Sequence, residues 1–278
     1  TGVQTCALPI SDTPAEKPVW QKPMLWAGIG MAAAIAFAVL VGVTRFSGPA
    51  APARLVAEQS GLGVYKTEMG AQEKITLADG SVVTLNTASR IEARINEHER
   101  TIRLLQGEAY FEVAHDPSRP FRVYAGDGMT VAVGTAFSVR LENDSVQVVV
   151  SEGKVSYSRV TEVPEPEPVA YVAAGETAQF GSNVVIDRVD LAEIDRKLSW
   201  IDGKLVFSGD PLSSVVADIS RYADIRFEFA TQDLADMRVG GVFGLGEVDD
   251  MLEALETNFG VRAERVDDKV VRIFRRAP

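Results

Sequence analysis

The sequence predicts a membrane-tethered, β-rich chain: a single transmembrane helix, then an all-β domain of solenoid-like or sandwich form, then a small α+β module. Three observations predict it. A charge-free apolar run occupies residues 24–44, apolar and polar residues alternate through most of residues 65–182, and from Lys204 strands give way to a mixture with amphipathic helices. Of the 278 residues 46% are apolar and 24% charged, which is enough to bury a core and argues against disorder. The 28 basic and 39 acidic residues leave a net charge of -11, which argues against a nucleic-acid partner because phosphate binding needs clustered Lys and Arg.

The opening TGVQTCALPI holds the single cysteine, Cys6. Back-translated, it matches the end of a common short-read sequencing adapter, so residues 1–10 are expected to be an artefact. The rest is then cysteine-free, without disulfide, thiol nucleophile or Cys-based zinc site. Residues 11–23 read as the remnant of an N-terminal region. MLWAGIGMAAAIAFAVLVGVT, residues 24–44, reaches about 30 Å as a helix, the thickness of the hydrocarbon core. It is longer than the apolar core of a cleaved signal peptide, and Trp20 and Trp26 suit one membrane interface. Lys17 and Lys22 before it balance Arg45 and Arg54 after it, so charge alone does not orient it. Residues 45–61, including SGPAAPAR, form a stalk.

The β domain is expected over residues 62–190. SVVTLN, TIRLLQ, EAYFEV, FRVYAG, MTVAVG, FSVRL, VQVVVSEG and KVSYS all carry the period-two pattern of strands. Gly80, Gly107, Gly134, Gly153 and Gly175 each fall between two such runs and are read as tight corners. TEVPEPEPVAY, with alternating prolines and acids, is an extended surface loop. Residues 191–203 read as a linker, and residues 204–278 as the α+β module in the order β-α-β-β-α-β-β. Its first helix is predicted with Asp210 as N-cap and Pro211 at the first helical position, burying Leu212, Val215, Val216, Ile219 and Tyr222. The second buries Val248, Met251, Leu252, Leu255 and Phe259 and stops at Gly260; VRAERV and KVVRIF close as a hairpin through Asp267 and Asp268.

Few side chains invite chemistry. His98 lies in the charged turn NEHER, and His115 stands beside Asp116 and Ser118 in AHDPSRPF, where prolines make a corner; both are read as structural or solvated residues. The acids near Glu247 suit the positive end of a helix dipole. With no HExxH, Walker loop, GxGxxG or GxSxG pattern, no catalytic, metal or cofactor site is predicted, and the chain is read as a non-enzyme. Exposed strand edges are the expected working parts. The glycine-loosened strand Arg238, Val239, Gly240, Gly241, Val242 and Phe243 is the candidate partner-binding edge.

LADGSVVTLNTASRI (77–91), RLLQGEAYFEVAHDPSRPFRVYAG (103–126), AVGTAFSVRL (132–141), VSEGKV (150–155) and AAGE (173–176) together resemble the FecR-type family, membrane-bound regulators of iron-uptake sigma factors in Gram-negative bacteria. Lys204 to Phe274 resembles the short signalling modules of such regulators, of secretins and of signalling TonB-dependent transporters. The resemblance implies a single-pass inner-membrane protein with its C-terminal domains in the periplasm and no cofactor. It further implies two partners: the periplasmic signalling domain of a TonB-dependent outer-membrane transporter, and an extracytoplasmic-function sigma factor. The latter is held by a cytoplasmic N-terminal region that the sequence as given lacks. The expected function is that of an anti-sigma regulator, relaying an iron or other nutrient uptake signal across the inner membrane by protein contact. The rival reading is a membrane-anchored envelope-assembly or polysaccharide-binding protein.

Overall fold

The computed structural model describes residues 62–143, 145–160 and 166–276. The predicted adapter-derived start, N-terminal remnant, membrane helix and stalk lie outside the described residues, as does part of the proline-rich loop. Among the described residues no helix is long and apolar enough to cross a membrane.

Among the described residues thirteen strands form one sheet that folds over on itself into a nearly closed, barrel-like body. In chain order they are β1 (Leu62–Lys66), β2 (Glu73–Thr76), β3 (Val82–Leu85), β4 (Arg90–Ile95), β5 (Arg100–Glu112), β6 (Phe121–Ala125), β7 (Gly128–Ala132), β8 (Ala136–Glu142), β9 (Ser145–Glu152), β10 (Lys154–Arg159), β11 (Ala170–Ala173), β12 (Glu176–Phe180) and β13 (Val184–Arg188). One layer runs β1-β4-β5-β6-β7-β10-β11 and the other β2-β3-β5-β8-β9-β12-β13. The long strand β5 belongs to both. All pairs are antiparallel except β5–β6, which is parallel. Of the two forms the sequence leaves open, the pairing excludes a stack of successive repeats, because β5–β8 and β9–β12 join strands distant in sequence.

Period-two alternation accounts for the layers. Phe111, Phe121 and Phe137 meet in the core at centroid distances of 5.9 and 5.3 Å, and Tyr157 stacks on Phe180. Of the glycines read as corners, Gly80, Gly107, Gly153 and Gly175 have φ between 79° and 84°. Gly134 serves another purpose: a β-carbon there would lie 2.5 Å from Nδ1 of His115, so its missing side chain makes room for the imidazole.

Residues 191–203, read as a linker, hold helix α1 (Leu191–Lys197) and a 3-10 turn (Ser199–Asp202), capped at the start by the Asp190 carboxylate on the Glu193 amide. The module continues with β14 (Lys204–Pro211), α2 (Leu212–Ser220), β15 (Arg226–Phe229), α3 (Gln232–Ala235), β16 (Arg238–Gly244), α4 (Val248–Asn258), β17 (Val261–Arg265) and β18 (Val270–Arg275). The predicted order is present, with one short helix, α3, added. β14 pairs with β16, and a three-stranded sheet runs β15-β18-β17. Both predicted apolar helix faces are turned inward, with Phe259 only half-buried. The expected cap of α2 is absent. β14 runs on through Asp210 to Pro211, and the Asp210 carboxylate instead accepts from the Ser208 amide and pairs with Arg196.

Candidate functional site

Strand β5 carries the features that join the two halves. Its first part buries Arg100, Ile102 and Leu104, and its last part Ala109 and Phe111, so the inward parity switches midway. A register irregularity against β4 and a positive φ of 80° at Gly107 make the switch. A side chain at Gly107 is barred twice, since its β-carbon would lie 2.2 Å from Oγ of Ser89. The next residue, Glu108, is thereby turned out of the β domain and toward the α+β module.

Glu108 is buried and fully engaged. Its Oε2 accepts from Asn86 Nδ2 at 2.9 Å and from Arg221 Nη2 at 2.7 Å, and its Oε1 from the Ser138 hydroxyl at 3.1 Å. Asn86 also donates to the Tyr222 hydroxyl at 2.9 Å, and the Thr87 hydroxyl donates to the Arg221 carbonyl at 3.0 Å. Arg140 bridges to Asp218 at 3.4 Å, and Gln72 donates to the Trp200 carbonyl at 2.8 Å. Thus α2 and the turn after it are bonded to the turn that follows β3, to β5 and to β8 through a polar seam. An apolar strip of Val149, Ile194 and Leu198, flanked by Tyr110, Val189 and Ile201, continues it.

Electrostatics in the seam follow from burial. Burial pushes the Asp218 carboxyl above its ordinary value despite the pull of Arg140 and Arg221. For Arg221 burial works against the charge, but Glu108 beside it more than compensates and its pKa is raised. The Tyr222 phenol is pushed up to about 12, chiefly by burial.

The predicted partner-binding residues Arg238 to Phe243 lie on β16, whose one strand partner among the described residues is β14. Val239 points into the module core, while Arg238, Gly240 and Val242 are exposed. The two glycines differ. The Phe243 ring lies across Gly241, within 3.0 Å of where a β-carbon would sit, and meets Phe207 at 6.1 Å. Gly240 has room for a side chain, its nearest neighbours being backbone atoms of Gly209 and Phe207 at 3.5 Å. The bulge that a paired glycine suggests is on the neighbouring strand, at Gly209, where the β14–β16 register shifts.

The histidines are separate and exposed. The backbone amide of His98 donates to the Asn96 side chain in its turn. Beside His115, the Asp116 carboxylate accepts from the Ser118 amide and hydroxyl at 3.0 and 2.6 Å and from Arg119 at 2.9 Å, which holds its pKa down at about 2. The Ser118 hydroxyl therefore bonds to a carboxylate rather than to an imidazole, and the loop is a locked turn. An open cleft of about 970 Å³ lies beside the seam between β5, β9, α1 and β14. Three of its hydroxyls are engaged: Ser151 donates to the Ala136 carbonyl and sits 3.1 Å from that of Tyr110, and Ser199 donates to the Arg196 carbonyl. Among the described residues no cluster suits a metal ion.

Sequence reading missed Arg100. Its side chain is wholly buried, donating to the carbonyls of Arg119, Ala114 and Asp116 at 2.6, 2.8 and 3.0 Å and pairing with Asp79 at 3.2 Å. Asp79 in turn accepts from the amide and hydroxyl of Ser81. The signal was present, since Arg100 shares the inward parity of Ile102 and Leu104. Glu108 and Arg221 gave no such signal, because the parity switch and the docking of α2 are tertiary.

The geometry defines a two-module, β-rich body whose modules are joined through buried polar groups. The FecR protein family matches residues 63–156, and the FecR C-terminal family matches residues 204–273. The chain belongs to the FecR family, whose members are regulators and not enzymes. Two crystal structures of a protein proposed to be an anti-sigma factor from Parabacteroides distasonis ATCC 8503 share the fold. Each is 22% identical in sequence and wholly covered; they cover 77% and 78% of this chain at TM-scores of 0.63 and 0.62. No curated protein matches the chain.

Proposed function

We propose that this chain is an anti-sigma regulator that relays the loaded state of a TonB-dependent outer-membrane transporter to an extracytoplasmic-function sigma factor. In this reading residues 24–44 anchor it in the inner membrane, both modules stand in the periplasm, and the sigma factor is held by a region N-terminal to the span. The observation that carries the reading is the seam of Glu108, Arg221, Asn86 and Tyr222. A contact made on the C-terminal module acts on a β domain to which it is bonded through buried groups, so the two respond as one body. The ribbon face with Gly240 and Val242 on β16 is the docking surface for the transporter's signalling domain.

The test uses the full chain in cells with its sigma-dependent promoter fused to a reporter. Gly240→Leu and Val242→Arg change exposed positions and leave the Phe243–Gly241 packing intact. Each is expected to abolish induction and co-purification with the transporter's signalling domain at unchanged protein level. Normal induction by both variants overturns the choice of surface, and a reporter indifferent to deletion of the whole chain overturns the function.

A further inference from the structure

Among the described residues the edge strands of the β body are guarded with one exception. β1 carries Gly63 and Lys66, β2 opens on Glu73 and Lys74, and β11 has four residues and follows Pro166 and Pro168. Such residues prevent edge-to-edge pairing. β13 has no guard in its first half: Val184, Val185 and Ile186 stand in a row, 40%, 48% and 40% exposed, without proline, glycine, lysine or bulge. Among the described residues its one strand partner is β12, and all five of its residues are exposed.

The backbone is set for a second partner. The Val189 amide donates to the Gly175 carbonyl and the Gly181 amide to the Asn183 carbonyl, so odd-numbered residues of β13 turn their polar groups toward β12. Val184, Ile186 and Arg188 therefore turn theirs to the free edge. An antiparallel copy of the same strand, related by a two-fold axis at Val185, meets these groups in phase. Val184 then faces Ile186 of the copy, Val185 faces Val185, and the Asn183 amide faces the Asp187 carboxylate: apolar against apolar, donor against acceptor. Centring the axis on Ile186 sets Val185 against Asp187, and centring it on Asp187 sets two carboxylates together. One register is thus self-complementary.

We propose that β13 is a homodimerisation edge, at which a second copy of this chain adds its own β13 antiparallel about Val185. The contact is one five-residue strand from each copy, so the dimer forms reversibly and is favoured by local concentration.

The experiment uses the full chain in detergent with Cys6→Ser, carrying Val185→Cys, Ile186→Cys or Val64→Cys. Val185 on the axis is a non-hydrogen-bonded pair with its counterpart, with α-carbons about 4.5 Å apart, within disulfide reach. Mild oxidation is expected to convert Val185→Cys to covalent dimer at least tenfold faster than Val64→Cys, an exposed edge position on β1, with Ile186→Cys near the Val64→Cys rate. Val185→Lys should abolish cross-linking by bifunctional lysine-independent reagents while leaving the thermal midpoint within a degree or two. Equal rates at Val185 and Val64, or faster cross-linking at Ile186 than at Val185, overturn the proposal.

Discussion

Replacing Glu108 by alanine tests the seam directly. The change strips the acceptor from three donors at once, Asn86 Nδ2, Arg221 Nη2 and the Ser138 hydroxyl, at a position where Glu108 itself is buried. Removing one member of a buried ion pair costs about 3–5 kcal/mol, because the other charge is left without a counterion. Arg221 keeps 21% of its side chain exposed and has Asp218 nearby, which puts the expected loss at the low end, about 3 kcal/mol. For a body of this size that lowers the thermal midpoint by roughly 6–12 °C. Calorimetry of the full chain reads both the shift and its form. The intact seam makes the modules unfold together, and Glu108→Ala should divide that transition into two. In a double-mutant cycle, Arg221→Ala is expected to recover at least ~1.5 kcal/mol of the loss, since it removes the stranded charge. Additive losses within ~0.5 kcal/mol, or an undivided transition at the wild-type midpoint, refute the reasoning.

Other changes probe other parts. Arg100→Met leaves the Asp79 carboxylate buried and three carbonyls unserved, and should cost about 3–5 kcal/mol in denaturant unfolding. Tyr222 titrates at about 12 when folded against an ordinary 10, so the neutral phenol favours the folded state. That contribution is whole below pH 10 and is lost as the pH rises toward 12; Tyr222→Phe should flatten the alkaline limb of the stability curve over this window, which urea titrations at fixed pH check. Gly241→Val should displace the Phe243 ring and cost roughly 1–3 kcal/mol, whereas Gly240→Val should stay within ~0.5 kcal/mol, read by thermal midpoints of the two variants.

Local signals accounted for what the sequence disclosed. Alternation placed the β strands, the helical periodicity of Leu212 to Tyr222 and of Val248 to Leu255 placed the module's two main helices, and Gly260 marked the end of the second with a φ of 65°. The same local reasoning failed at Asp210, where pairing of β14 with β16 extended the strand through the residues that would have capped α2. It also read residues 191–203 as a linker, because α1 has little apolar face of its own beyond Ile194 and takes its place by packing on Val149. The joining groups were hidden for a different reason. Glu108 lies 113 positions from Arg221, and no periodicity within either segment foretells their meeting.

That separation along the chain also sets a timetable. β5 pairs with β3, β4, β6 and β8, so none of the strands before it can settle until residue 112 has been made. Glu108 is then in place, yet its counterion is still unsynthesised. At ~5–20 residues per second Arg221 follows roughly 5–22 s later. Through that interval the growing β body must hold its outer face, Tyr110 first and Val149 once it is made, open to water, and completion of the seam is among the last events in the birth of the molecule.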